Sequence, residues 1–287
     1  MTNKKSILIA GASGLIGQEL VLALISEGYM VNVISRNIEI TQKQFHSSIN
    51  VYSWQGLNMQ GQHIKHADVI INLAGANVGA KPWSHKYKDL LYASRKDSIS
   101  NLAIIVKELE KPPELWLQAS AIGYYGYNIN FDTDESGKQG DGFLADLVSK
   151  WEQNFNELEL PATKKLVLRF GLVMSEKGGV LKQILDPLKY RIAICPGKGK
   201  NYLSYIHIAD LVNYFITCIG NNSIEGVVNM VSKKPVKMID FIGSLKEKHK
   251  VKIIIKVPAF LLKIVLGNEK AKELVLADQK VVSSVLN

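Results

Sequence analysis

The chain has 287 residues, 47% hydrophobic and 21% charged, which is the balance of a globular protein with a sizeable core. Its formal net charge of +9 is carried by dispersed lysines; the densest groups, Lys233-Lys234 and Lys246 to Lys252, lack the arginine and aromatic interleaving of a nucleic-acid surface. Cys195 and Cys218 have neither metal nor redox spacing, and no apolar run reaches the ~18 residues of a membrane span.

At the N-terminus the chain enters a strand at once, so no signal peptide is expected. The apolar run Ile7-Leu8-Ile9-Ala10 leads into Gly11, Gly14 and Gly17, and Ile16, Leu20 and Leu24 then begin a helical stripe. Strand, tight turn and helix N-terminus in this order form the cradle of a dinucleotide pyrophosphate. Gly11 allows the turn, Gly14 lets backbone N–H groups approach phosphate, and Gly17 lets the helix pack on the strand.

Met30 to Ile34 is the second strand, and it ends at Ser35-Arg36-Asn37. Proteins of this plan that prefer NAD place a carboxylate there, about 20 residues beyond the glycine turn, to hold the ribose hydroxyls. Ser35 and Arg36 instead suit a 2′-phosphate, so NADP(H) is favoured over NAD(H). Further strands are expected at Ile49 to Trp54, Ala67 to Gly75, Leu115 to Ala119 and Lys165 to Val173. Helices are expected over Ser84 to Glu110, stopped by Pro112-Pro113, and over Gly142 to Leu158.

Alternating strands and helices, with strands apolar throughout, indicate a parallel sheet covered on both faces. The fold class is therefore α/β, a Rossmann-type doubly wound sheet over residues 1–175. From 176 to 287 a smaller α+β lobe follows, with helices over Val180 to Lys189, His207 to Ile219 and Lys237 to Lys248. Short strands lie around Leu203 and over Val227 to Val231. The apolar stretch Val257 to Leu266 is too short to span a membrane, contains Pro258 and Lys263, and reads as a packed helix.

Several motifs recur together: Trp54-Gln55-Gly56, Asn72 to Gly75, Trp83, Ser94-Arg95, Gly123-Tyr124-Tyr125-Gly126 and Lys150-Trp151-Glu152. Leu168-Arg169-x-Gly171, Tyr205 to Ile208 and Val228 to Ser232 follow. In this order the chain resembles the extended short-chain dehydrogenase/reductases. It is most similar to an atypical branch known as epimerase family proteins, whose last part, here 235–287, is a domain of unknown function. The resemblance implies that Gly11, Gly14, Leu15, Ile16 and Gly17 hold the pyrophosphate and that Ser35 and Arg36 hold the 2′-phosphate. Leu73, Ala74 and Gly75 would line the adenine and nicotinamide-ribose side, Arg95 would reach the cofactor region, and Val173 would lie near the nicotinamide.

The catalytic half departs from that pattern. Short-chain dehydrogenases use Tyr-x-x-x-Lys on the helix after Ser120, the lysine lowering the tyrosine pKa for proton transfer. Here that helix has no tyrosine: Asp146 with Lys150, or Leu144 with Val148, fall at the dyad positions, depending on alignment. Tyr92 to Lys96 matches the spacing on the wrong helix. Ser120, Tyr124, Tyr125 and Lys150 are the remaining catalytic candidates. His207 with Asp210 reads either as a base with its orienting acid or as the opening of a helix. No metal site is expected.

Relatives carry more glycines before Tyr205-Ile206-His207 than Ile192 to Gly199 does, and continue beyond Val282 into an aromatic strand and helix. This lobe is thus expected to lack its last element. Two main readings of function stand: an NADP(H)-dependent oxidoreductase or epimerase acting on a small or nucleotide-linked substrate, or an NADP(H)-binding sensor without chemistry; nucleic-acid or membrane-surface binding through the net positive charge is a minor third. A cytoplasmic protein with a small-molecule substrate, without nucleic-acid or membrane partners, is expected, and assembly as a homodimer is left open.

Overall fold

In the computed structural model, which describes residues 4–45, 49–54, 64–221 and 224–286, the apolar runs become the central strands. Every residue of β1 (Ser6–Ala10) is buried, as it must be in a sheet covered on both faces. α1 (Leu15–Ser26) buries Leu20, Val21 and Leu24 and returns the chain to β2 (Met30–Ser35). α2 (Ile38–Phe45), β3 (Asn50–Ser53) and β4 (Val69–Asn72) follow, then the long α3 (His85–Glu108), capped by the Ser84 side chain accepting from Tyr87 N. β5 (Leu115–Ala121) runs into a 3-10 turn over Ile122–Tyr125. After β6 (Asn128–Thr133) come α4 (Phe143–Asn156) and β7 (Lys164–Phe170). The motif residues Gln55 and Gly56 lie outside the described residues.

Beyond β7 the expected strand Lys165 to Val173 is divided. Gly171 turns the chain so that β8 (Leu172–Met174) leaves the main sheet and pairs in parallel with β11 (Tyr205–His207). Ser204 and Met230 crowd this corner. The Gly171 N–H donates to Met230 O, and a Cβ at Gly171 would stand 2.7 Å from Ser204 O. Between β8 and β11 lie α5 (Gly179–Leu188), β9 (Ile192–Pro196) and β10 (Tyr202–Leu203). α6 (Ile208–Gly220) then leads to β12 (Gly226–Met230), which returns to the main sheet. β13 (Val236–Lys237), α7 (Met238–Lys248), β14 (Ile253–Val257), α8 (Ala259–Leu266), α9 (Asn268–Lys270) and β15 (Asp278–Val281) complete the described chain.

The central sheet has the order β12-β7-β5-β4-β1-β2-β3, with every pairing parallel. α1 and α6 cover one face, around Leu20, Leu24, Leu211 and Phe215. α3 and α4 cover the other, around Leu102, Trp116, Trp151 and Phe155. The strand order reverses between β1 and β4, so a crevice opens at their carboxyl ends, the usual ligand position of such sheets. Among the described residues no helix is long and apolar enough to cross a membrane.

A third, smaller core gathers Leu188, Ala193, Cys195, Met238, Ile242 and Val251 between α5, α7 and the parallel pair β9–β14. One expectation fails in this lobe. Val257 to Leu266 contains a helix, α8, but it is not packed: none of its residues is buried. The reason is geometric. After Pro258 the chain leaves β14, and α8 packs chiefly on α9 and the π-helical turn Ala271–Val275 that follow it.

Candidate functional site

The glycine turn is built as the spacing predicts. Gly11 has φ +87°, and a Cβ there would stand 2.6 Å from the Leu73 carbonyl carbon, so the turn passes directly over the end of β4. At Gly17 a Cβ would lie 2.5 Å from Gly11 O, where α1 packs against its own turn. Gly14 is different: its Cβ would meet only Gly11 O, at 3.4 Å. The protein itself leaves that space open. Gly14 is also the N-cap of α1 and supplies no capping side chain, and the first turn of the helix holds no acid. An uncapped helix start beside an open, neutral space fits a pyrophosphate, whose charge the N–H groups and helix dipole stabilise.

At the end of β2 the two expected ligands of the 2′-phosphate differ in freedom. Ser35 is buried, and its hydroxyl meets Thr41 Oγ1 at 2.7 Å and accepts from Asn37 N, building the turn into α2. Arg36 stands exposed at the strand end.

Across the crevice, Asn72 is fully buried and shapes the loop after β4. Its Nδ2 donates to Gln118 Oε1 and Ser98 Oγ, and its Oδ1 accepts from Ala74 N. Leu73 N donates to Ala10 O, which fixes Leu73 and Ala74 beside the glycine turn, with Gly75 exposed beyond them. α3 holds the rest of this loop: Ser94 accepts from Ala76 N, Tyr87 donates to Asn77 O, and Arg95 donates to Ala76 O and Leu91 O. Arg95 lies behind Gly75, with its guanidinium 4.7 Å from the Trp151 ring centroid. Burial without a carboxylate partner lowers its pKa to about 10.

Ser120, at the end of β5, is 3% exposed and donates to Glu152 Oε1 at 2.5 Å. Arg169, from the end of β7, grips the same carboxylate with two hydrogen bonds, Nε to Oε1 at 2.8 Å and Nη2 to Oε2 at 2.6 Å. Its Nη1 donates to the Tyr125 hydroxyl at 2.9 Å, and that hydroxyl donates to Asn229 Oδ1 at 2.9 Å. Tyr124 lies outside this chain of hydrogen bonds, and its ring carries the Arg169 guanidinium 3.5 Å from its centroid.

Burial opposes the Arg169 charge, but the bonds to Glu152 more than offset it and raise the pKa above the usual arginine range. Burial also raises the Tyr125 pKa, against a smaller lowering effect of Arg169. Glu152, Arg169 and Asn229 belong to sequence motifs that by themselves assign them no role. Their chemical signal was that charged or amide side chains stand inside otherwise apolar patterns.

Lys150, the last of the catalytic candidates, lies apart from this chain of hydrogen bonds. Lys150 is exposed, its ammonium 4.9 Å from the Tyr92 ring centroid, and it lines a cavity of about 490 Å³ between α3 and α4 together with Arg95 and Trp151. Leu144 and Val148 are the residues of α4 that face Gly123, beside the end of β5. Apolar side chains therefore occupy the face where a Tyr–Lys dyad would stand. His207 and Asp210 are both exposed at the start of α6, and His207 makes no side-chain cap. Val173 is half-buried in β8 and, like Leu15, packs against the core under α1 and α6.

Residues 7–140 match the model of the NAD dependent epimerase/dehydratase family. An epimerase family protein of Staphylococcus aureus is 30% identical over 278 residues, covering 96% of this chain and 91% of its own length. One from Mycobacterium leprae is 28% identical over 285 residues, covering 99% and 90%. The crystal structure of human epimerase family protein SDR39U1 with NADPH superposes with a TM-score of 0.87 at 25% identity, over 96% of this chain and 90% of that one. UDP-glucuronic acid 4-epimerase from Bacillus cereus, solved with UDP-glucuronic acid and NAD, shares the fold at a TM-score of 0.72 and 17% identity, over 88% and 86%. This chain belongs to the NAD(P)-dependent epimerase/dehydratase family of extended short-chain dehydrogenase/reductases, as an epimerase family protein.

Proposed function

We propose that the protein binds NADP(H) in the crevice between β1 and β4 and acts as an oxidoreductase or epimerase on a small or nucleotide-linked substrate. The observation that carries the cofactor half is the open space at Gly14 in front of an uncapped α1. The preference for NADP(H) rests on exposed Arg36 and on the absence of a carboxylate from Ser35-Arg36-Asn37. The human relative's structure with NADPH supports it. Gly11 to Gly17 would hold the pyrophosphate, Arg36 the 2′-phosphate, and the Leu73-Ala74-Gly75 backbone the ribose side. When bound, the nicotinamide supplies or accepts hydride.

The chain's own contribution would be a fixed electrostatic platform. Ser120, Glu152, Arg169, Tyr125 and Asn229 are all buried and hydrogen-bonded, so their dipoles are set before substrate arrives. Within this platform the Tyr125 hydroxyl is committed on both sides. Tyr124 is the tyrosine left to exchange a proton with substrate, with Arg169 against its ring to balance developing negative charge. The reading is tested by following the near-ultraviolet band of reduced nicotinamide across carbonyl and sugar-nucleotide panels. Turnover that falls at least about tenfold in Tyr124→Phe is expected; turnover unchanged in that variant would overturn the role of Tyr124.

Two observations favour a second reading, a cofactor-binding sensor. Ser120 spends its hydroxyl on Glu152, and Lys150 faces α3. A protein that binds NADPH yet turns over none of the panel would support the sensor against the enzyme.

A further inference from the structure

α8 reads Ala259-Phe-Leu-Leu-Lys-Ile-Val-Leu266 and has no buried residue; Phe260 is 61%, Ile264 74% and Val265 78% exposed. The pair β9–β14, whose second strand leads into α8 through Pro258, also exposes apolar side chains. Ala193, Cys195 and Ile254 point into the third core, so strand alternation turns Ile194, Ile253 and Ile255 to the opposite face, where all three are exposed. Solvent-exposed aliphatic surface on this scale marks a place where something docks.

The charge around it identifies what. From Lys246 to Leu266 the sequence holds six lysines against a single glutamate. Lys246, Lys248, Lys250, Lys252, Lys256 and Lys263 are all exposed. Among the described residues only Lys248 of these reaches an acid, Glu176, at 3.9 Å. Arg191 accepts from Lys252 N, which brings Arg191 and the exposed Tyr190 to the start of β14. Two copies of this surface would oppose like charges, which disfavours self-association. An anionic bilayer satisfies both halves: its headgroups attract the lysines, and its acyl boundary takes the apolar helix.

We propose that α8 and the outer face of β9–β14 dock the protein onto an anionic phospholipid surface. At about 12 Å, α8 is far too short to span a bilayer. It lies in the interface, with Phe260, Ile264 and Val265 entering the acyl boundary and Lys252, Lys256 and Lys263 among the headgroups. From sequence, membrane-surface binding is only a minor reading through net positive charge, because Val257 to Leu266 reads as a packed helix.

The test is flotation of the full chain with vesicles of phosphatidylcholine alone or with about one-third phosphatidylglycerol, at about 0.1 M salt. Retention on the anionic vesicles at least about tenfold above the neutral ones is expected. The double variant Phe260→Ser/Val265→Ser keeps every charge and alters only exposed positions, so its melting temperature should match the parent. Its retention should fall about tenfold. No retention of the parent on anionic vesicles overturns the proposal. So does equal retention of the double variant, which would reduce the effect to dispersed charge. A concentration-dependent dimer abolished by the double variant, seen by sedimentation, would assign the face to a second copy instead.

Discussion

Gly14 and Gly17 stand three residues apart in one turn, yet a side chain would fail at them for different reasons. At Gly17 a methyl group meets backbone, Gly11 O at 2.5 Å, and backbone cannot swing aside. Gly17→Ala should therefore cost about 1–3 kcal/mol of stability, read as a lower melting temperature. At Gly14 the neighbouring backbone is 3.4 Å away, so Gly14→Val should melt near the parent and lose at least about tenfold in NADPH affinity. The buried pair Arg169–Glu152 gives a second contrast. Glu152→Gln leaves a guanidinium only 5% exposed without its countercharge, a loss of about 3–5 kcal/mol, whereas Ser120→Ala removes one hydroxyl donor to that carboxylate at about 1.5–3 kcal/mol. Urea denaturation of both variants checks the order. The glycines were legible in sequence because turn geometry is local. The fate of Ser120 and Tyr125 was not, because their partners Glu152, Arg169 and Asn229 arrive from α4, β7 and β12, which only the folded sheet brings together.

Elements of the C-terminal part hold the first helices of the site from outside. Gly142, the N-cap of α4, has no side chain to offer; Glu273, from the π-helical turn, accepts from Phe143 N and Leu144 N in its place. Lys270 donates to Gly79 O and Lys81 O, tying the same segment to the loop after β4. Glu273→Ala should cost about 0.5–2 kcal/mol, as other lost N-caps do. Glu135 plays a similar part for the chain end, accepting from Asn229 N, Ser283 Oγ and Ser284 N. Burial alone would raise its pKa, but these hydrogen bonds together lower it. Because the folded pKa lies below the unfolded one, its contribution is complete above about pH 4–5 and is lost as pH falls through the folded value. Glu135→Gln should flatten the acid side of a plot of melting temperature against pH. If that limb is as steep as in the parent, the clamp at Glu135 is not what acid breaks. Periodicity found α3 to α7 within a few residues. It could not separate a packed α8 from an exposed one, since an eight-residue apolar run looks the same from either side.

At the scale of the molecule, the two sheet faces are closed by α1 and α6 and by α3 and α4, and the carboxyl edge between β1 and β4 is left for ligand. The buried hydrogen-bond chain of Ser120, Glu152, Arg169, Tyr125 and Asn229 lies along that same edge, at the ends of β5, β7 and β12 and against α4, while α8 and β14 present the lysine-ringed apolar surface. A ligand that binds only the folded state stabilises it by about 2.7 kcal/mol at a hundred times its Kd, so NADPH should raise the melting temperature by roughly 5–10 °C. The most direct test is calorimetric titration of NADPH and NADH into the protein and into Arg36→Ala. The account predicts that NADPH binds at least about tenfold tighter than NADH and that Arg36→Ala removes most of that difference while sparing NADH. Equal affinities in the parent, or no binding of either nucleotide, would contradict it.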